Sequence, residues 1–348
     1  MIKAINTPEL LKLRSQYSLI DVRSPAEYSK AHIPGAVNIP IFSDTERADV
    51  GTRYKQIGRE NAIAAGLEYA ALHAEEYLQR AADVSHQKPL LVYCWRGGMR
   101  SLAFCQLLKS AGISSFRLHD GYKAYKNFLR QEFKREIKLI ILGGMTGSGK
   151  TEKLLEMQKM GEQVIDLEGL ANHKGSAFGY SPDLPQPSNE HFENLLYEEW
   201  RKLDFQKVLW LEDESRMIGR VQINDHLFKR MRLATVIKIE VNTEDRVRRL
   251  VKDYTDVEKE FLLSAFQRIS KRLGGLNYQK AAAALSENDF ATAAQIALRY
   301  YDKAYLYGLA KRQDNKIVSL QLASDKPKLA AEEIIKFAKD RMKLFSLV

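Results

Sequence analysis

The chain has 348 residues, 45% hydrophobic and 28% charged, the proportions of an ordinary globular protein long enough for two domains. No apolar run reaches the ~18 residues that cross a bilayer, and two cysteines, Cys94 and Cys105, exclude a disulfide framework or a four-cysteine metal site. Lysine and arginine outnumber the acids 54 to 44, a formal charge of +10, which points toward a polyanionic partner without requiring one. The opening MIKAINTPELLKLRSQ has no apolar h-region and no small-residue cleavage site, so a cytoplasmic setting with reduced thiols and no membrane partner is expected.

In chain order, Tyr17 to Val22 and Pro89 to Tyr93 read as short buried strands. Ser101 to Ala111 carries helical apolar spacing, with Gly112 as its stop. Phe116 to Leu118 reads as a third strand, and Tyr122 to Arg135 as a helix leading out of the first unit. Lys138 to Gly144 is an apolar strand running into glycines. Further apolar runs lie at Gln163–Leu167, Lys207–Leu211, Thr235–Val241 and Ile317–Leu322, most of them separated by helical stretches. Such alternation predicts doubly wound parallel sheets. Thr243 to about Arg312 is mostly helical and rich in arginine and lysine. The expected fold is therefore α/β throughout: one unit over residues 1–136, then a parallel-sheet unit over 137–348 with a basic helical extension.

Gly144-Met-Thr-Gly-Ser-Gly149-Lys150-Thr151 satisfies G-x-x-x-x-G-K-[ST], with an apolar strand before it and a helix-compatible run after it. Glycines let Gly144, Thr146, Gly147, Ser148 and Gly149 turn their N–H groups toward one phosphate, at the positive end of the following helix. Lys150 would neutralise phosphate charge, and Thr151 would bond a phosphate oxygen or Mg²⁺. A metal-binding carboxylate is expected at the end of a neighbouring strand. The candidates for a metal or acid–base role are Glu212 and Asp213, with Glu214 following them, and Asp166. No metal site is certain, and no tightly bound cofactor is expected.

Cys94 opens Cys-Trp-Arg-Gly-Gly-Met-Arg-Ser between an apolar strand and a helix, flanked by Arg96 and Arg100. A strand end, a helix N-terminus and two cations each favour thiolate over thiol. Cys105, mid-helix among apolar neighbours, reads instead as a small core residue.

The stretch Asp21-Val-Arg23-Ser-Pro-Ala-Glu27-Tyr28, then His32-Ile-Pro-Gly35-Ala-Val-Asn38-Ile-Pro40, and the later Asp120-Gly121-Tyr122 resemble the signatures of rhodanese sulfurtransferases. That resemblance makes Cys94 a chalcogen acceptor and Arg96 and Arg100 its loop partners. Arg100 lies six residues after Cys94, one more than in many rhodaneses. Phosphatases built on the same fold share that loop length, which admits a phosphate-bearing group. A rhodanese unit followed by a phosphate-loop unit, with Gln186-Pro-Ser-Asn-Glu-His-Phe192 and Trp210-Leu-Glu-Asp-Glu-Ser215, resembles the bacterial tRNA 2-selenouridine synthase family over nearly the whole chain.

The resemblance implies replacement of sulfur by selenium at C2 of a wobble 2-thiouridine in tRNA. The implied co-substrates are selenophosphate and geranyl diphosphate, the latter giving an S-geranylated intermediate, and the enzyme that makes selenophosphate is an implied partner. Against a tRNA partner, Arg246, Arg248, Arg249 and Lys252, and then Arg268, Lys271 and Arg272, become candidate phosphate contacts. The residues alone also admit a sulfurtransferase coupled to ATP-dependent phosphoryl or adenylyl transfer, or a redox-sensing nucleotide switch.

Overall fold

The computed structural model describes residues 2–174, 178, 185–255, 257–313 and 316–345, and side chains up to 341. The chain divides into two compact units, Met1–Lys134 with Glu193–Glu198, and Arg135–Phe192 with Glu199–Val348.

The first unit contains β1 (Ala4–Ile5), α1 (Thr7–Lys12), β2 (Ser18–Asp21), α2 (Pro25–Lys30), β3 (Val37–Asn38), α3 (Asp44–Gln56), α4 (Arg59–Leu72), α5 (Ala74–Ser85), β4 (Leu90–Tyr93), α6 (Met99–Ser110), β5 (Ser115–Leu118) and α7 (Gly121–Glu132). Its five strands form one sheet in the order β1-β5-β4-β2-β3, every pairing parallel. A parallel central strand is covered on both faces and needs apolar residues throughout. The Leu-Leu-Val-Tyr run of β4 meets that need, with all four residues buried. Ser24 and Glu27 form a capping box that starts α2 with Pro25 in its first turn. Ser43 and Glu46 do the same for α3. The segment Glu193–Glu198 adds Tyr197, edge-on to Tyr125, Phe128 and Phe133. It also adds Asn194, whose Nδ2 donates to the Tyr122 hydroxyl at 2.6 Å and to the His32 carbonyl at 2.8 Å.

The second unit contains β6 (Lys138–Gly143), α8 (Lys150–Lys159), β7 (Gln163–Val164), α9 (Leu167–Ala171), the two ends of α10 (Asn189–Trp200, whose middle, Glu193–Glu198, belongs to the first unit), β8 (Val208–Glu212), β9 (Met217–Ile218), β10 (Val221–Gln222), α11 (Asp225–Leu233), β11 (Thr235–Glu240), α12 (Thr243–Thr255), α13 (Lys259–Leu273), α14 (Gly275–Ser286), α15 (Phe290–Leu309), β12 (Ile317–Gln321) and α16 (Pro327–Phe345). Its main sheet is again all parallel, in the order β12-β11-β6-β8-β7, with β6 at the centre. Helices α12 to α15 form the basic extension around their own core, which includes Leu250, Tyr254, Leu262, Phe266, Leu285 and Ile296. Among the described residues, no helix is long and apolar enough to cross a membrane.

Two predicted elements differ. The Gln163–Leu167 strand stops at Val164, because the Asp166 side chain accepts the Gly169 N–H at 2.7 Å and starts α9. The exit helix begins at Gly121 and ends at Glu132 rather than continuing to Arg135.

Candidate active sites

Both central strands deliver their following loop to the carboxyl edge of a parallel sheet, where open α/β folds bind ligands. In the first unit the loop after β4 carries Cys94, which is buried and has its Sγ 3.3 Å from the Ser101 hydroxyl. Its shape is fixed by the turn into α7. Tyr122 and Lys123 donate their backbone N–H to the carbonyls of Cys94 and Trp95, each at 2.9 Å. Gly121 has φ +59°, and a Cβ there would stand 2.3 Å from the Cys94 carbonyl oxygen. Only glycine combines that backbone with that approach. Below the loop, Arg23 and Asp21 form a fully buried ion pair, and the guanidinium lies 4.2 Å from the Tyr122 ring centroid.

The two loop arginines are placed differently. Arg100 donates to Glu27 at 2.7 Å, and Arg47 approaches the same carboxylate at 3.7 Å. Together they hold the Glu27 carboxyl below its usual range against the opposing effect of burial. Arg96 is exposed on the loop. Cys105 is sealed in the core, and burial pushes its thiol up to about 11.

In the second unit the loop from Gly144 to Gly149 joins β6 to α8. Lys150 Nζ donates to the Gly144 carbonyl at 3.2 Å. Ser148 is buried with its hydroxyl unpartnered. Thr151 donates to Glu168 at 3.1 Å. Carboxylate oxygens of Glu168, Glu212 and Glu214 lie within 4.8 Å of one another. β6 and β8 pair Leu142 with Glu212, which sets that carboxyl beside the loop. Both Glu212 oxygens are buried and have no hydrogen-bond partner.

Burial first, then repulsion from Glu168, pushes the Glu212 carboxyl up to about 8. Burial also raises Glu168, against the pull of Lys150 and Thr151, and burial with repulsion from Glu168 and Glu212 raises Glu214. Three clustered acids, one of them orphaned, form an all-oxygen donor set suited to a hard divalent cation.

These shifts have a signed consequence. Between the ordinary 4.5 and about 8, folded Glu212 keeps a proton that the unfolded chain has released. Stability therefore falls as pH rises through that window. Glu212→Gln removes the penalty, so its melting temperature should exceed the wild type's at pH 8 and match it near pH 4.5. Parallel curves from pH 4.5 to 8 would refute the assignment.

The structure gives several of the candidate residues other partners. Asp166 acts as the cap of α9, and the cluster takes Glu168, two residues further on. Asp213 is turned away to a buried ion pair with Arg312 at 2.5 Å. Arg246 and Arg249, expected as RNA contacts, instead brace the phosphate loop. Arg246, 3% exposed, donates to the Thr146 carbonyl at 2.8 Å and pairs with Asp302. Arg249 donates to the Gly147 carbonyl at 3.2 Å and pairs with Asp325 at 2.5 Å. Lys153, fully buried, joins them on the Ser148 carbonyl at 2.8 Å and on Asp325 at 2.9 Å. Gly149, at φ +67°, has no room for a side chain, since a Cβ would meet Arg249 at 2.9 Å. Arg248, Lys252, Arg268, Lys271 and Arg272 do face solvent.

Residues 6–128 match the rhodanese-like domain family, and residues 137–326 match the family described as the tRNA 2-selenouridine synthase AAA domain. Curated relatives carry the name tRNA 2-selenouridine synthase. The protein of Shewanella frigidimarina is 36% identical over 86% of this chain and 90% of its own. That of Nitrosomonas europaea is 35% identical over 85% and 90%, and that of a Sulfurovum species 37% identical over 75% and 77%. With two family matches that follow its two units and relatives aligned along most of its length, the chain belongs to the tRNA 2-selenouridine synthase family.

Proposed function

We propose that this protein is a tRNA-modifying transferase that replaces sulfur by selenium at C2 of a wobble 2-thiouridine in two steps. The observation that carries the reading is one chain holding both a built phosphate cradle around Lys150 and a glycine-shaped cysteine loop at Cys94. In the first step the 2-thio sulfur forms a bond to the terminal prenyl carbon of geranyl diphosphate, the carbon–oxygen bond breaks, diphosphate leaves, and the base gives up its N3 proton to solvent. The loop N–H groups and Lys150 stabilise the charge that gathers on that leaving group. In the second step selenium from selenophosphate forms the bond to C2 and the carbon–sulfur bond breaks. Geranyl thiol departs with a proton, the selenium–phosphorus bond breaks as water takes the phosphorus to phosphate, and N3 regains its proton.

Cys94 presents the selenium, in a loop long enough for a phosphate-bearing donor. Thr151, Glu168, Glu212 and Glu214 would hold Mg²⁺, which supplies charge neutralisation to a bound diphosphate. Exposed Arg248, Lys252, Arg268, Lys271 and Arg272 supply phosphate contacts to the tRNA.

Mass spectrometry of wobble nucleosides tests the reading. Cells lacking the protein should lose 2-selenouridine and keep 2-thiouridine, and normal selenouridine in such cells would overturn it. A protein that hydrolyses ATP in step with sulfur transfer, with no dependence on geranyl diphosphate, would favour the ATP-coupled sulfurtransferase instead.

A further inference from the structure

Beside the Cys94 loop, still within the first unit, lies a cavity of about 550 Å³. Its walls come from α3, α4 and the first turn of α6, the helix that starts at the end of the cysteine loop. The connection from β3 to β4, which flank β2, needs one helix on the sheet, and α5, packed on β2 and α6, fills that place. Helices α3 and α4 pack chiefly on each other, and their facing surfaces enclose the cavity.

The lining is unusual in two respects. It is predominantly apolar, yet it leaves large apolar side chains in water. Tyr54, Leu67 and Met99 are 61%, 58% and 48% exposed at its rim. Contiguous exposed apolar surface of this kind marks a binding site. Its charged members are Arg47, Lys55 and Arg100, and no acidic residue lines it. Glu27, outside the lining, faces Arg47 and Arg100 and neutralises at most one of them. An apolar chamber with a cationic mouth suits a ligand whose elongated hydrocarbon part is tied to an anionic body, and the volume falls in the usual range for small-molecule sites.

We infer that this cavity receives the prenyl chain carried on the C2 sulfur of the wobble uridine while the cationic rim meets the RNA backbone. The inference rests on the two-step reading above. In those terms the cavity is a leaving-group pocket: it holds the hydrocarbon of the departing thiol next to the thiol loop that handles its replacement. Apolar burial then favours the geranylated substrate over the plain 2-thiouridine, which has nothing to place there.

The full-length protein can be titrated with two anticodon stem-loop oligonucleotides, one carrying S-geranyl-2-thiouridine and the other 2-thiouridine. Wild type should bind the geranylated form at least about tenfold more tightly. Ile63→Trp, which fills the chamber, and Leu67→Glu, which charges its rim, should bring that ratio toward one. Circular-dichroism melting establishes that each variant is folded, and since Leu67 is already exposed its variant remains a test if Ile63→Trp does not fold. A wild-type ratio near one, or a ratio that survives in a folded variant, overturns the cavity assignment. Adding selenophosphate tests the reading beneath it separately. Wild type that prefers the geranylated oligonucleotide but forms no selenouridine from it keeps the pocket and overturns the two-step order.

Discussion

Cys94→Ser should reduce selenium transfer by about a thousandfold or more while geranyl transfer to 2-thiouridine continues. The change is nearly isosteric at a buried site, and the replacement hydroxyl can keep the contact with Ser101, so the loop should hold its shape. What disappears is chemistry. A hydroxyl is smaller and far less polarisable than the sulfur that presents the selenium donor. The measurement is separate quantification of geranylated and selenated nucleoside after incubation with each co-substrate. Selenation at the wild-type rate would remove Cys94 from the mechanism. Cys105→Ser is the matched control. Its thiol is held up at about 11 by burial, and its replacement should leave selenation within a few-fold of wild type.

Lys150→Ala should show the opposite split, with geranyl transfer down about a hundred- to a thousandfold, the usual cost of one donor to a developing anion. Lys150 Nζ lies over the loop on the Gly144 carbonyl, where an arriving diphosphate would draw it away. Removal of the ammonium leaves the braces of the loop intact, since Arg246, Arg249 and Lys153 hold its carbonyls independently. Selenation of an RNA already geranylated should continue in this variant. Unchanged geranyl transfer in Lys150→Ala would sink the assignment of this loop to the prenyl donor.

The sequence made local patterns legible. Leu90–Tyr93 and residues 139–142 of β6 are continuous apolar runs, and the phosphate loop is a contiguous motif whose glycines announce its geometry. What stayed hidden depends on residues far apart in the chain. Glu168 carries no local sign of the cluster it joins, because Glu212 and Glu214 reach it only through strand pairing and the start of α9. Arg246 and Arg249 sit in a basic run that looks like a solvated face, and only the fold reveals that two of its members turn inward to carbonyls about a hundred positions earlier. Asp213 stands between Glu212 and Glu214 in three consecutive acids, and only its distant partner Arg312 sets it apart from them. The segment Glu193–Glu198 shows why a boundary drawn along the sequence is incomplete, for Asn194 and Tyr197 complete the first unit from beyond it.

The bracing of the phosphate loop by α12 also bears on redesign. Arg246 and Arg249 stand three residues apart, on one side of that helix, and Arg248 and Lys252 stand four apart on another. The inner pair supports the Gly144–Gly149 loop, while the outer pair meets solvent. On the proposed RNA role of the exposed pair, a mutant library intended to change which RNA this protein accepts should therefore randomise Arg248 and Lys252 and keep the inner arginines constant. Randomising all four would yield mostly inactive clones, and the screen would mistake a collapsed loop for a lost substrate.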